Sequence, residues 1–255
     1  MTSQFFRQAE RTAAYVREYL FPGNCPICGA CLLDRNEAWH GLCGLCMTDL
    51  IVGGEERCSS CGRPLISEQD RCLQCREWEG PGAEGSHIFD RAFSIFPYTG
   101  KRRKLLSAYK FGKNLPLGNF FAERMMEALA RLPPDSAAGT LVPVPPRPGK
   151  QRKTGWDQVA YLGSRLAKTG TLPLPRPGPC PRPCLKRLPS KSQKELDKAE
   201  RRTNLMGKII CVKPPPRVAI LFDDVITSGA TLDACAAALK AAGSEKVYGV
   251  CLFYD

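Results

Sequence analysis

Five consecutive apolar residues, Val218 to Phe222, stand between the prolines at 214–216 and the acids Asp223 and Asp224. A short apolar run bounded by turn signals predicts a buried strand of a parallel sheet. Helical spacing resumes from Leu232 to Ala241, and Lys246 to Phe253 again reads as strand. Strand, helix and strand at these lengths predict a parallel βαβ unit. Upstream, the aromatic stretch Phe89 to Tyr98 is a first strand. Phe121, Met125, Leu129 and Leu132 lie on one face of a helix over Phe120 to Leu132. Leu141 to Pro145 is a short strand ended by prolines, a helix opens at Thr154 to Gln158 and runs to Leu166, and Ile209 to Val212 is another strand. The prolines between Leu172 and Pro189 forbid helix and central strand alike, so 172–189 is an exposed irregular excursion. Ser192 to Asn204 returns to helix with a solvated, mixed-charge face, and Phe6, Ala9, Ala13, Val16 and Leu20 fit a short amphipathic helix within 1–22. The pattern is that of an α/β chain whose parallel sheet is flanked by helices.

Composition adds a second module. A chain of 255 residues holds one domain of ordinary size and a small one, and 43% hydrophobic residues allow a real core. The excess of 37 basic over 25 acidic residues, +12, favours polyanionic partners such as nucleic acid or phosphorylated small molecules. No apolar run approaches the roughly 20 residues needed to span a bilayer, and the N-terminus lacks the apolar core of a secretory signal. No membrane insertion and a cytoplasmic location are therefore expected.

Nine of the 14 cysteines fall in the first 75 residues, eight of them as Cys25/Cys28, Cys43/Cys46, Cys58/Cys61 and Cys72/Cys75. In a reducing compartment this pattern means metal. Two intervening residues let both thiolates of a knuckle reach one tetrahedral ion, and two knuckles close an all-sulfur structural zinc site. Two structural zincs follow, with sequential pairing the simplest arrangement and an interleaved cross-brace also allowed by spacing. Cys31 is a bystander and His40 a structural residue, because the cysteine set is complete without them. A double zinc ribbon over 23–78 is then joined through Glu79 to Ser86, which has the composition of a flexible boundary, to a second domain over 87–255. His87 is a solvated boundary residue on this reading.

The candidate chemistry follows the strand at 218. Asp223 and Asp224 stand at its end, and Thr227, Ser228, Gly229, Ala230 and Thr231 open directly into a helix. Unpaired N–H donors and the positive end of a helix dipole bind oxyanions, Gly229 permits close approach, and the hydroxyls add donors. Acids followed by a phosphate cradle suit a ribose 5-phosphate. A P-loop is excluded, because Gly100-Lys101, Gly112-Lys113, Gly149-Lys150 and Gly207-Lys208 all lack the following hydroxyl. Arg147, Lys150, Arg152 and Lys153 cluster after the strand at 141, where they can meet a pyrophosphate. Cys180 and Cys184 have no second pair to complete a site.

Asp223 to Leu232 resembles the phosphoribosyl pyrophosphate (PRPP) signature of type I phosphoribosyltransferases. Together with the four knuckles, Tyr109 to Gly112, Val142 to Pro145, and Ser192-Gln193 followed by Arg201 and Asn204, it resembles the ComF family of double-zinc-ribbon, phosphoribosyltransferase-like proteins. The family's usual Arg-Gly-Phe-Asn-Gln appears as Thr154 to Gln158, losing the arginine and exchanging Asn for Asp157. If that arginine contacts pyrophosphate or nucleic acid in the family, the contact is here lost or passed to Arg152 or Lys153. The resemblance implies a type I phosphoribosyltransferase-like sheet that binds PRPP or a related phosphorylated ribose. Asp223 and Asp224 would hold the ribose hydroxyls, with Mg²⁺ bridging them or the pyrophosphate, and Thr227 to Thr231 the 5-phosphate. Phosphoribosyl transfer with pyrophosphate release is the implied chemistry. The alternative is a non-catalytic accessory protein handling single-stranded DNA for the competence machinery. There the basic segments 101–113, 147–153 and 182–202 would engage the backbone, and Trp156 or Phe111 the bases.

Overall fold

The computed structural model describes residues 23–50, 56–65, 70–78, 86–168, 183–189 and 205–255. The expected helix within 1–22, the excursion up to 182 and the helix at Ser192 to Asn204 lie outside them. The chain divides into two compact units, one of residues 1–51 and 99–120, the other of 52–98 and 121–255. Each unit holds one pair of cysteine knuckles.

In the first unit, helix α1 (Arg35–His40) starts at Asp34, whose carboxylate accepts from Asn36 N at 2.7 Å and Glu37 N at 3.3 Å. It ends at Gly41 in the left-handed region, φ 67°, and a Cβ there would lie 2.9 Å from Asn114 Oδ1 and 3.0 Å from Pro116 Cβ. Helix α2 (Gly44–Asp49) follows at once. Asn119 Nδ2 donates to Trp39 O at 2.7 Å. His40 is buried, with Nδ1 2.8 Å from Asn36 O and its ring edge-on to Phe120, a packing role as expected.

In the second unit, helix α3 (Leu73–Arg76) carries the last knuckle cysteine. Strands β1 (Arg91–Pro97), β2 (Thr140–Pro143), β5 (Val218–Ile226) and β6 (Lys246–Tyr254) form one sheet in the order β1-β6-β5-β2, every pair parallel. The expected βαβ unit is β5, a helix over Ala230–Ala241, and β6. Strands β3 (Leu185–Arg187) and β4 (Ile209–Cys211) make a separate antiparallel pair. β3 corrects the excursion reading, for Cys184 to Leu188 is free of proline, and Leu185 and Arg187 are buried while Lys186 is exposed.

Between these strands come α4 (Gly100–Lys110) of the first unit, α5 (Leu117–Leu129), α6 (Lys150–Thr154) and α7 (Gln158–Leu166). The helix Ala230–Ala241 is α8. Asp157 caps α7, accepting from Val159 N at 2.9 Å and Ala160 N at 3.3 Å. Its substitution for Asn therefore keeps the capping acceptor. Phe253 is fully buried against Phe96, Phe121 and Tyr98, with ring centroids at 5.6, 5.7 and 6.3 Å.

One outer strand is covered by a knuckle. Ala92 N donates to Ser60 O at 2.7 Å, Arg57 Nη1 to Ser94 O at 2.8 Å, and Ser94 Oγ to Cys61 O at 3.2 Å. Gly62, φ 71°, lies so close that a Cβ would stand 2.6 Å from Phe93 Cα.

Candidate functional site

The eight knuckle cysteines gather into two groups, Cys25, Cys28, Cys43 and Cys46, and Cys58, Cys61, Cys72 and Cys75, with all Sγ atoms of a group within 4.8 Å of one another. The pairing is sequential, and Cys31 belongs to neither group. Four sulfurs about 2.3 Å from a tetrahedral ion stand roughly 3.8 Å apart. The 3.5 Å between Cys28 and Cys43 and the 3.7 Å between Cys61 and Cys72 fit that requirement. Both sites are therefore consistent with a structural zinc, with no ligand position left open. Burial pushes the Cys25 thiol up, but backbone N–H donors from Cys43, Cys28 and Ile27 outweigh it and bring the thiol down to about 7. Hydrogen bonding from Cys61 and Cys75 holds Cys58 well below its ordinary value, and Cys61, giving that bond, is raised. One thiolate stabilised by its neighbours is the beginning of a metal site.

β5 runs past the apolar residues to Ile226, because Asp223 and Val225 pair with Cys251 and Phe253 of β6. The acids thus sit within the strand end and point to opposite faces. Asp224 is buried and accepts from Gln158 Nε2 at 2.6 Å, and Lys150 Nζ donates to Gln158 Oε1 at 2.9 Å. Asp223 accepts from Asp224 N at 2.7 Å through its own Oδ1 and is half-buried. Its charge acts on Cys235 of α8 and on Arg187 of β3.

Thr227 is exposed, Ser228 and Thr231 are half-buried, and Gly229 and Ala230 are buried. Gly229 adopts φ 80° at the N-cap of α8 and offers no side-chain cap, so the first turn keeps its N–H groups for another acceptor. Asp223, Asp224 and Thr227 to Thr231 thus share one strand-to-helix junction. Arg152 and Lys153 lie on α6 beyond β2, the strand paired with β5; Arg152 is exposed, and Lys150 is linked to Asp224 through Gln158. Gln193, Arg201 and Asn204 lie outside the described residues.

Three residues escaped the sequence reading. His87 is not solvated: its side chain is 3% exposed, with Nδ1 2.8 Å from Asp233 Oδ2. Its ring is stacked between Trp78 at 4.7 Å and Phe89 at 4.4 Å. Arg63 reaches from the second cluster to the carbonyls of Thr227 and Asp255, at 2.5 and 2.6 Å. Arg187 is buried with Nε unpaired; burial and the nearby Arg147 lower its guanidinium from its ordinary value, against Asp223 and Cys235. A proline-free window inside a proline run was its only signal.

A family model for a double zinc ribbon domain matches residues 16–76. The chain is also similar to Competence protein ComFC of Streptococcus pneumoniae, 27% identical over 217 residues that make up 85% of this chain and 88% of that protein. Among the described residues, no helix is long and apolar enough to cross a membrane.

Proposed function

On its assignment to the ComF family, which the ribbon match and the ComFC relative support, we propose that this protein binds PRPP or a related ribose 5-phosphate at the end of β5. The observation that carries the reading is the uncapped N-terminus of α8, opened by Gly229 at φ 80°, shortly after a strand that carries two acids near its end, Asp223 and Asp224 before Val225 and Ile226. The loop Thr227 to Thr231 takes the 5-phosphate through backbone N–H groups, with Thr227, Ser228 and Thr231 adding hydroxyl donors. Asp223 and Asp224 take the ribose hydroxyls. Gln158, held by Lys150, fixes the rotamer of Asp224. Arg147, Lys150 and Arg187, with Arg152 and Lys153 of α6, supply positive charge for a pyrophosphate arm.

Asp223 and Asp224 are the residues that would hold Mg²⁺, which would supply charge neutralisation for the leaving group. In transfer, an acceptor atom forms its bond to C1 of the ribose as the C1–oxygen bond breaks and pyrophosphate leaves with the electron pair. The two zinc sites hold structure and take no part in that step. The test is calorimetric titration of the zinc-loaded protein with PRPP and Mg²⁺ beside a double variant, Asp223→Asn with Asp224→Asn. Binding lost in the variant supports the pocket; absence of binding by the wild type refutes it.

One observation favours a second reading, handling of single-stranded DNA as a competence protein. Phe111 is 73% exposed between Lys110 and Lys113, at the end of a helix that carries Lys101, Arg102, Arg103 and Lys104. An exposed ring among cations is a stacking platform. Anisotropy titration of a labelled oligonucleotide tests it: affinity should fall steeply with salt, and Phe111→Ala should weaken binding about tenfold or more. Equal binding by wild type and variant refutes this reading.

A further inference from the structure

The second cysteine cluster and the 227–231 loop are joined by two side chains. Arg63 stands two residues beyond Cys61. Its Nη1 donates to Gln74 Oε1, beside Cys75, while Nη2 donates to Thr227 O at 2.5 Å and Asp255 O at 2.6 Å and approaches Ile226 O at 3.5 Å. One guanidinium therefore ties both knuckles of the cluster to the ends of β5 and β6. On the other side, His87 Nε2 is 3.6 Å from Cys75 Sγ and Nδ1 is 2.8 Å from Asp233 Oδ2. The second oxygen of Asp233 accepts from Ile88 N at 2.6 Å. The ring lies under Gly229, so that a Cβ there would be 2.7 Å from His87 Cε1.

We infer that the second cluster is a clamp on the loop. Arg63 and His87 carry its position to Thr227 and Gly229, so that metal in this cluster governs how well the loop holds an anion. Neither side chain reaches the loop's anion-facing N–H groups, so both are positioning residues. Charged hydrogen bonds to two carbonyls fix the start of the loop, and the histidine ring sets the height of its glycine. A tetrahedral ion would fix the four sulfurs, and with them the turn that carries Arg63 beyond Cys61 and the Cys75 sulfur against which the His87 ring rests; without it these anchor points would relax. The consequence for affinity rests on the PRPP reading, whereas the mechanical link does not.

The experiment compares wild type, Arg63→Met, Arg63→Lys and Arg71→Met, each zinc-loaded with its metal content measured. Arg71 is the control, because its Nη2 bonds Cys75 O at 2.7 Å and so engages the same cluster through a different carbonyl. Hydrogen exchange is followed at the amides of Asp233 and Asp255, which donate to Gly229 O at 2.9 Å and Ile226 O at 3.1 Å. Affinity for PRPP with Mg²⁺ is measured in parallel.

Arg63→Met should keep its zinc, exchange faster at both amides, and lose about tenfold in affinity, the scale of losing charged hydrogen bonds. Arg63→Lys should recover part of each effect, and Arg71→Met should match wild type. Unchanged exchange in Arg63→Met with zinc retained overturns the clamp, as do equal changes in Arg71→Met. If exchange responds as expected but wild type does not bind PRPP, the clamp stands and the ligand reading falls. If wild type and Arg63→Met bind PRPP equally, with exchange unaltered, the ligand reading stands and the clamp falls.

Discussion

Replacing Gly229 by alanine probes the loop and its support together. The backbone there has φ 80°, and the new Cβ would stand 2.7 Å from Cε1, 3.1 Å from Nδ1 and 3.4 Å from Nε2 of His87. Holding an alanine in the left-handed region costs about 1–2 kcal/mol. The ring has little room to retreat, being stacked between Trp78 at 4.7 Å and Phe89 at 4.4 Å and held at Nδ1 by Asp233. Overpacking of that kind adds about 1–3 kcal/mol. The sum, about 2–5 kcal/mol, corresponds to a fall in Tm of roughly 4–20 °C for a chain of this size.

Urea unfolding followed by tryptophan fluorescence measures the loss, and Trp78 reports directly on the ring it stacks against. In a His87→Ala background the collision is gone, and Gly229→Ala should cost only the backbone part. The cycle should therefore return a coupling of about 1–3 kcal/mol. A cost below about 1 kcal/mol, or the same cost in both backgrounds, would refute the packing argument.

Other expectations are more local. Phe253→Ala should destabilise the second unit by about 3–5 kcal/mol, since a fully buried ring is removed from three aromatic neighbours; a loss under about 1 kcal/mol in chemical denaturation would contradict it. Metal analysis should find two zinc ions per chain and one after Cys25→Ser, with retention of both in Cys31→Ser.

Asp90 gives a signed pH dependence. Burial raises its carboxyl, but the Val247 N–H and the ammonium groups of Lys240 and Lys246 outweigh burial and hold it below the ordinary value. Its contribution is present above the unfolded value of about 3.9 and is lost as pH falls through the lower folded value. Asp90→Asn should therefore be less stable at neutral pH, with the gap closing in acid. A gap that persists at the lowest pH would count against this cause.

Much of this architecture was legible because it depends on local pattern. The apolar run at 218–222, the helix after Thr231 and the knuckle spacing each carry their structure in a few consecutive residues. What escaped depends on contacts between distant segments. The end of β5 could not be placed from Asp223 onward, since acids at a strand end look like the start of a loop; pairing with Cys251 and Phe253 carries the strand on. His87 follows a linker-like composition, and its burial comes from Trp78, Phe89 and Asp233. Arg187 was hidden by prolines on both sides, and Arg63 resembles any surface arginine until its carbonyl partners are known. The link from Lys150 through Gln158 to Asp224 likewise joins segments far apart in the chain and has no local signature.

The cover over β1 has a consequence for the fate of the chain when metal is scarce. β1 is an outer strand, and such an edge is a template for pairing with another chain. Here Ser60 O and the Arg57 side chain already occupy the Ala92 N–H and the Ser94 carbonyl. These partners are held in place by the knuckle of Cys58 and Cys61. Stripping the ion would release a sticky edge as well as a loose module. Zinc supply during synthesis would then decide whether new chains stay dispersed or stack into aggregates, and a shortened protein beginning at 87 would carry that hazard permanently.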